Sequence, residues 1–275
     1  MKRFEKNGST TVRPAAAAGR FYPKSPAELR RAVNELLAEV PPSDEPAPKA
    51  LIAPHAGYLY SGPIAASAYA RLKPARELVR RVVLVGPAHF VPFDGLAASS
   101  ADAFATPLGI VRVDAEAIDS LAGLPQVAVL DIAHAQEHSL EVHLPFLQTV
   151  LEDFSLVPLV VGEATAEQVC EVLDTLWDGP ETRFVISSDL SHYLGSDAAR
   201  QMDRLTADAV EGLHPEDIGD EQACGRIPIR GLLQAARAHG LYARAVDLRN
   251  SGDTSGPRHQ VVGYGAFVFE EAASR

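Results

Sequence analysis

The sequence predicts a single α/β domain with a central, largely parallel or mixed β-sheet flanked by helices. Three observations carry this expectation. Short apolar runs bounded by glycine and proline, KALIA at 49–53 and RVVLV at 81–85 among them, suit strands buried on both faces. Segments with apolar residues at helical spacing alternate with those runs, the pattern of strand–helix–strand units. The chain has 275 residues, 47% of them hydrophobic, enough for one large core without a disulfide or a structural metal.

Taken in order, residues 1–11 are polar and aperiodic and are expected to form a flexible tail, leaving 12–275 as the domain. Residues 26–40 have helical spacing, with Ser25 as N-cap and Pro26 in the first turn. The proline-rich stretch 41–49 reads as a loop. Strands are expected at 49–53, 81–85, 126–130, 154–161, 183–188 and 261–269. Helices are expected at 63–72, 114–124, 138–152, 165–178, 196–212 and 222–238. Pro158 lacks a ladder donor and so predicts a weak strand or an edge position for 154–161.

Composition excludes several classes. Asp and Glu number 36 against 25 Lys and Arg, a net charge of −11, which lacks the basic footprint of a nucleic-acid binder. Two cysteines, Cys170 and Cys224, do not make a secreted disulfide framework. The basic start is not followed by a signal-like apolar run, and no stretch approaches the ~18 apolar residues of a membrane span. A soluble, cytoplasmic chain with neither a membrane nor a nucleic-acid partner is expected.

In open α/β sheets, ligands bind beyond the carboxyl ends of the strands. Three predicted strands end close to a histidine: His55 in PHAGY, His89 in GPAH and His192 in LSHY. Asp253, in the segment before the last strand, adds a carboxylate. Two histidines and one carboxylate form the facial ligand set of non-heme Fe(II), whereas histidines that merely bond loops at a sheet edge are the structural alternative. A second cluster lies at 133–148, where Pro145 limits helix regularity and the spacing is not that of HExxH zinc proteases. There His138, Glu141 and His143 read as groups behind the ligands or as buried structural residues. Cys224 stands near a predicted helix start, where a positive helix end would lower its pKa, but no reactive partner is evident. No phosphate-binding loop, dinucleotide fingerprint or nucleophile elbow is present.

Further segments add to these: VRPAAAAGRFYP (12–23), PKALIAPHAGYLYSGP (48–63), VVLVGPAHF (82–90), EHSLEVHLPFLQ (137–148), SSDLSHY (187–193), ACGRIPI (223–229), NSGDTSG (250–256) and VVGYGAF (261–267). Together, and in this order, they resemble the Memo family, whose bacterial and archaeal members are often called AmmeMemoRadiSam system protein B. That family is similar in fold to the class III extradiol, LigB-type, dioxygenases. The resemblance implies that His55 and His89 bind the metal and that His192 acts as general acid/base. It also implies that Phe21 lines the pocket mouth. Ring-opening relatives supply a glutamate as third ligand; here Asp253 is the nearest anionic candidate, with Thr254, Glu141 or water as alternatives. An iron-dependent oxidoreductase or dioxygenase-like enzyme follows, using Fe(II), or else Cu or Zn. Phe21, Tyr58 and Tyr193 would frame an aromatic or phenolic substrate. A non-catalytic scaffold binding a peptide or metal in the same pocket is the alternative, and a zinc-type hydrolase the third reading. The family name also implies an AMMECR-type protein and a radical SAM enzyme as pathway partners.

Overall fold

The structure, a computed structural model, describes residues 10–271; residues 1–9 of the expected tail and residues 272–275 lie outside the described residues. The chain enters at β1 (Val12–Arg13), forms α1 (Pro26–Ala38), and reaches β2 (Ala50–Ala53), α2 (Tyr58–Tyr69) and β3 (Arg81–Pro87). Short strands β4 (Leu96–Ala98), β5 (Ala103–Thr106) and β6 (Gly109–Val113) follow, then α3 (Ala115–Ser120), β7 (Val127–Val129), α4 (Asp131–Ala135) and α5 (Leu144–Val150). Next come β8 (Ser155–Val161), α6 (Ala166–Thr175), β9 (Thr182–Ser187), β10 (His192–Leu194) and α7 (Ser196–Glu211). The chain closes with α8 (Arg226–Ala238), β11 (Leu241–Asn250), α9 (Ser251–Thr254) and β12 (Val261–Glu271).

Among the described residues one mixed sheet runs β1-β5-β6-β8-β3-β9-β2-β12-β10, with β11 on β12 and β4 on β8. Its centre, β8-β3-β9-β2, is parallel, and β12 adds antiparallel to β2. The central strands are apolar throughout because both faces are covered, as expected for buried parallel strands. In β3, Val82 and Leu84 face the core under α1, α2 and α5, whereas Val83 and Val85 face the core under α6, α7 and α8.

The sequence expectation for Pro158 is corrected. β8 is an interior strand, and Pro158 stands in register with Leu84 of β3. On its other side, β6 pairs only with Ser155 and Leu156, and β4 only with Leu159 to Val161. Residues 157–158 therefore fall in a gap between two neighbours, where a missing N–H leaves no carbonyl unpaired. Two further expectations shift. The run at 126–130 forms only the three-residue β7, an outer strand pairing with β4. The helix expected from 138 begins at Leu144, because Pro145 suits a first turn and not a helix interior. The N-cap expectation at Ser25 holds, its side chain accepting the Glu28 N–H.

β3, β9 and β2 are adjacent and parallel, so their carboxyl ends lie side by side. Gly86 lets that corner close. A Cβ there would stand 3.0 Å from Leu140, Ser139 Oγ and Ser187 Cβ alike.

Candidate metal centre

His55 follows the end of β2. Its backbone N–H donates to Asp189 Oδ1 at 2.8 Å, and its Nδ1 lies 2.6 Å from Ser187 Oγ. The Ser187 hydroxyl itself donates to the Ser139 carbonyl at 2.6 Å, so it accepts from His55 Nδ1–H. That fixes the tautomer and leaves Nε2 unprotonated. Burial, and then the neighbouring His89 and His138, push the His55 pKa well below the usual range. The ring is neutral and ready to act as a ligand.

His89 follows β3 and is gripped by Glu137. Its Nδ1 lies 2.9 Å from Glu137 Oε1, and its backbone N–H donates to Oε2 at 2.6 Å. Glu137 also accepts the N–H groups of His138 and Ser139. Burial pushes its pKa up, but the hydrogen bond and charge of His89 and these backbone donors outweigh burial and lower it to about 2. An ionised carboxylate behind Nδ1 again leaves Nε2 as the free lone pair.

His138 completes the group. It lies in the loop before α5, not on a helix, and its ring stacks on Phe21 at 4.3 Å. The donor atoms of His55, His89 and His138 all lie within 4.8 Å of one another. Three imidazoles at this spacing suit Zn, Cu, Fe or Ni. His138 was expected behind the ligands; freed from a helix, it stands among them.

Asp253 does not join this group. It caps the short helix α9, accepting the Asn250 N–H at 3.1 Å, and forms an ion pair with Arg200. Glu141 is fully buried beneath the N-terminal segment, where it pairs with Arg13 and accepts from Ala16 N–H, Ala17 N–H and Tyr22 Oη. His143 bonds Tyr69 Oη at 2.7 Å, one layer below the donors. Tyr58 is largely buried, its hydroxyl donating to the Val142 carbonyl and its ring packing on Phe146, and it lines a cavity together with Phe21. Tyr193 is 71% exposed, at φ 62°, with its ring edge against His192. His192 Nδ1 lies 2.8 Å from the Leu190 carbonyl, which leaves its Nε2 free to accept a proton.

Sequence reasoning missed Asp189, Glu137 and the placement of Cys224. Asp189 is buried, accepts the N–H groups of His55 and Ala56, and has its pKa raised by burial. Its signal was a carboxylate immediately after a buried strand. Cys224 Sγ lies 3.4 Å from His55 Nε2. Burial, and then the Asp189 charge, push its thiol up to about 12, opposite to the shift expected from a helix start.

A mixed α/β sheet whose parallel strand ends bring His55 and His89 beside His138 places the chain among α/β proteins with a histidine group that could hold a metal. The model of the family described as Memo-like protein matches residues 13–268. MEMO1 family proteins are similar along nearly the whole chain. The one from Aquifex aeolicus is 36% identical over 269 residues, covering 94% of this chain and 99% of its own. The one from Aeropyrum pernix is 37% identical over 282 residues, covering 93% and 98%. The crystal structure of an uncharacterized protein from Escherichia coli K12 shares the fold, with a TM-score of 0.50 at 13% identity over 80% of this chain and 98% of that one. The chain belongs to the Memo family.

Proposed function

We propose that this protein is a metal-dependent oxidoreductase that holds Fe(II) through His55, His89 and His138 and acts on an aromatic or phenolic substrate. One observation supports this above all: the donor atoms of three histidines lie within 4.8 Å of one another, and two of the rings have Nδ1 fixed by buried acceptors. A bound ion would supply Lewis acidity and, for iron or copper, one-electron chemistry at a substrate oxygen. The remaining roles belong to the chain. Glu137 and Ser187 orient the rings of His89 and His55. Phe21 holds the plane of His138 by stacking. His192 takes a proton from a phenolic hydroxyl at its free Nε2.

A zinc-type hydrolase is the second reading, favoured by the three-imidazole donor set, which is also that of a catalytic zinc site. Anaerobic titration of chelator-stripped protein with Fe(II), Zn²⁺ and Cu²⁺, followed by oxygen uptake with a catechol panel, separates the two. Tight Fe(II) binding with substrate-dependent uptake is expected. Metal binding without uptake transfers the site to hydrolysis or to a non-catalytic scaffold for a peptide or metal. Failure to bind any metal overturns both catalytic readings.

A further inference from the structure

A cavity of about 280 Å³ opens beside the histidine group and shares His89 and Cys224 with it. That size is near the small end for ligand pockets, roughly 300–1,000 Å³. Phe90, Val91, Phe93 and Ile227 form apolar walls. Phe90 is 51% exposed and meets His138 edge to face, their ring centroids 5.8 Å apart, so the apolar wall runs up to the donors.

Two side chains of opposite charge, Arg226 and Glu163, line the same cavity, and no ion pair joins them among the described residues. The carboxylate partner of Arg226 is Asp220, met through Nε at 2.9 Å and 78% exposed. A partner so exposed is screened by water and contributes little. A guanidinium bonded only at Nε keeps further N–H groups for a planar carboxylate. Arg226 opens α8, whose first turn carries no acidic residue and whose N-cap, Gly225, has no side-chain cap. No group of that first turn competes for an anion.

We propose that this cleft binds a small apolar carboxylate. The carboxylate sits on Arg226, the apolar body lies along Phe90 and Val91, and the far end reaches His89. The assignment names the substrate class of the metal centre and rests on that reading. Glu163 sets the direction of binding, because its charge repels the carboxylate and leaves Arg226 as its seat.

Calorimetric titration of the chelator-stripped full chain with benzoate and with benzamide tests this; stripping ensures that the carboxylate cannot be reading a metal ion. Benzoate is expected to bind about tenfold tighter than benzamide, the advantage of a charge-assisted hydrogen bond. Arg226→Leu abolishes that preference without weakening benzamide, Arg226→Lys keeps part of it, and Glu163→Gln tightens benzoate alone. Equal affinities in the unaltered protein, or a preference that survives Arg226→Leu, overturn the assignment. If Arg226→Leu loses its circular dichroism, the other two variants decide, and a preference unmoved by both overturns it. Fe(II) titration of the same samples separates the two proposals. Metal binding without a benzoate preference removes the carboxylate site alone. A benzoate preference without metal binding upholds the cleft and removes the metal reading.

Discussion

Glu137 holds His89 at two points, one oxygen accepting the backbone N–H at 2.6 Å and the other the ring Nδ1–H at 2.9 Å. The two bonds fix both where the loop after β3 runs and which way the imidazole turns. The same carboxylate accepts the N–H groups of His138 and Ser139, so two of the three donors take their positions from one buried anion.

Replacing Glu137 with Gln should therefore weaken metal binding about 10–100-fold, the usual effect of removing a carboxylate behind a ligating histidine. Competition against a chromophoric chelator measures it. Unchanged affinity would show that His89 needs no anion behind it.

His138→Ala and Asp253→Ala should separate cleanly. The first removes a donor and is expected to abolish tight binding, as are His55→Ala and His89→Ala. The second should leave metal affinity unchanged and lower stability by about 1 kcal/mol through loss of the α9 cap. Metal analysis alongside urea unfolding reads both, and metal loss in Asp253→Ala would return that residue to the site.

His192→Ala should retain metal and fold while losing turnover by about 10²–10⁴-fold, the range for one general acid/base. Metal loss equal to that of His55→Ala would make His192 a ligand and not a proton carrier.

Stability should rise as pH increases between about 8 and 10.5. Lys49 is half-buried beside Trp177 and Phe184, and burial lowers its pKa from 10.5 to about 8, with Arg183 adding to the effect. Between those values the unfolded chain holds the proton and the folded chain does not, so raising the pH favours the fold. Urea midpoints at pH 8 and pH 10 should diverge less in Lys49→Met; an identical slope would place the proton elsewhere.

The central strands were legible because double burial leaves an unbroken apolar signature, and the strand-end rule then pointed to His55, His89 and His192. β11 was not legible: LYARAVDLRN is half-exposed and mixes charges with apolar residues, so no continuous run marks it. The third donor was misplaced for a similar reason. Spacing drew His138 into a helix, but Pro145 starts that helix at Leu144. Asp253 was favoured as an anion near the last strand. Its partner Arg200 is 53 residues away in sequence, and no local pattern announces such a pairing. At Cys224 the helix-start argument was local, while the outcome was set by tertiary burial.

Phe21 reaches His138 on a segment moored by a single buried carboxylate, Glu141, which clasps Arg13, Ala16, Ala17 and Tyr22 together. The stretch from Arg13 to Tyr22 is thus part of the pocket's masonry rather than a lead-in to it. Anyone trimming the chain for expression should stop short of Val12. A cut at Pro26, where regular structure resumes, would strip one wall from the centre and leave Glu141 as a stranded charge inside the protein.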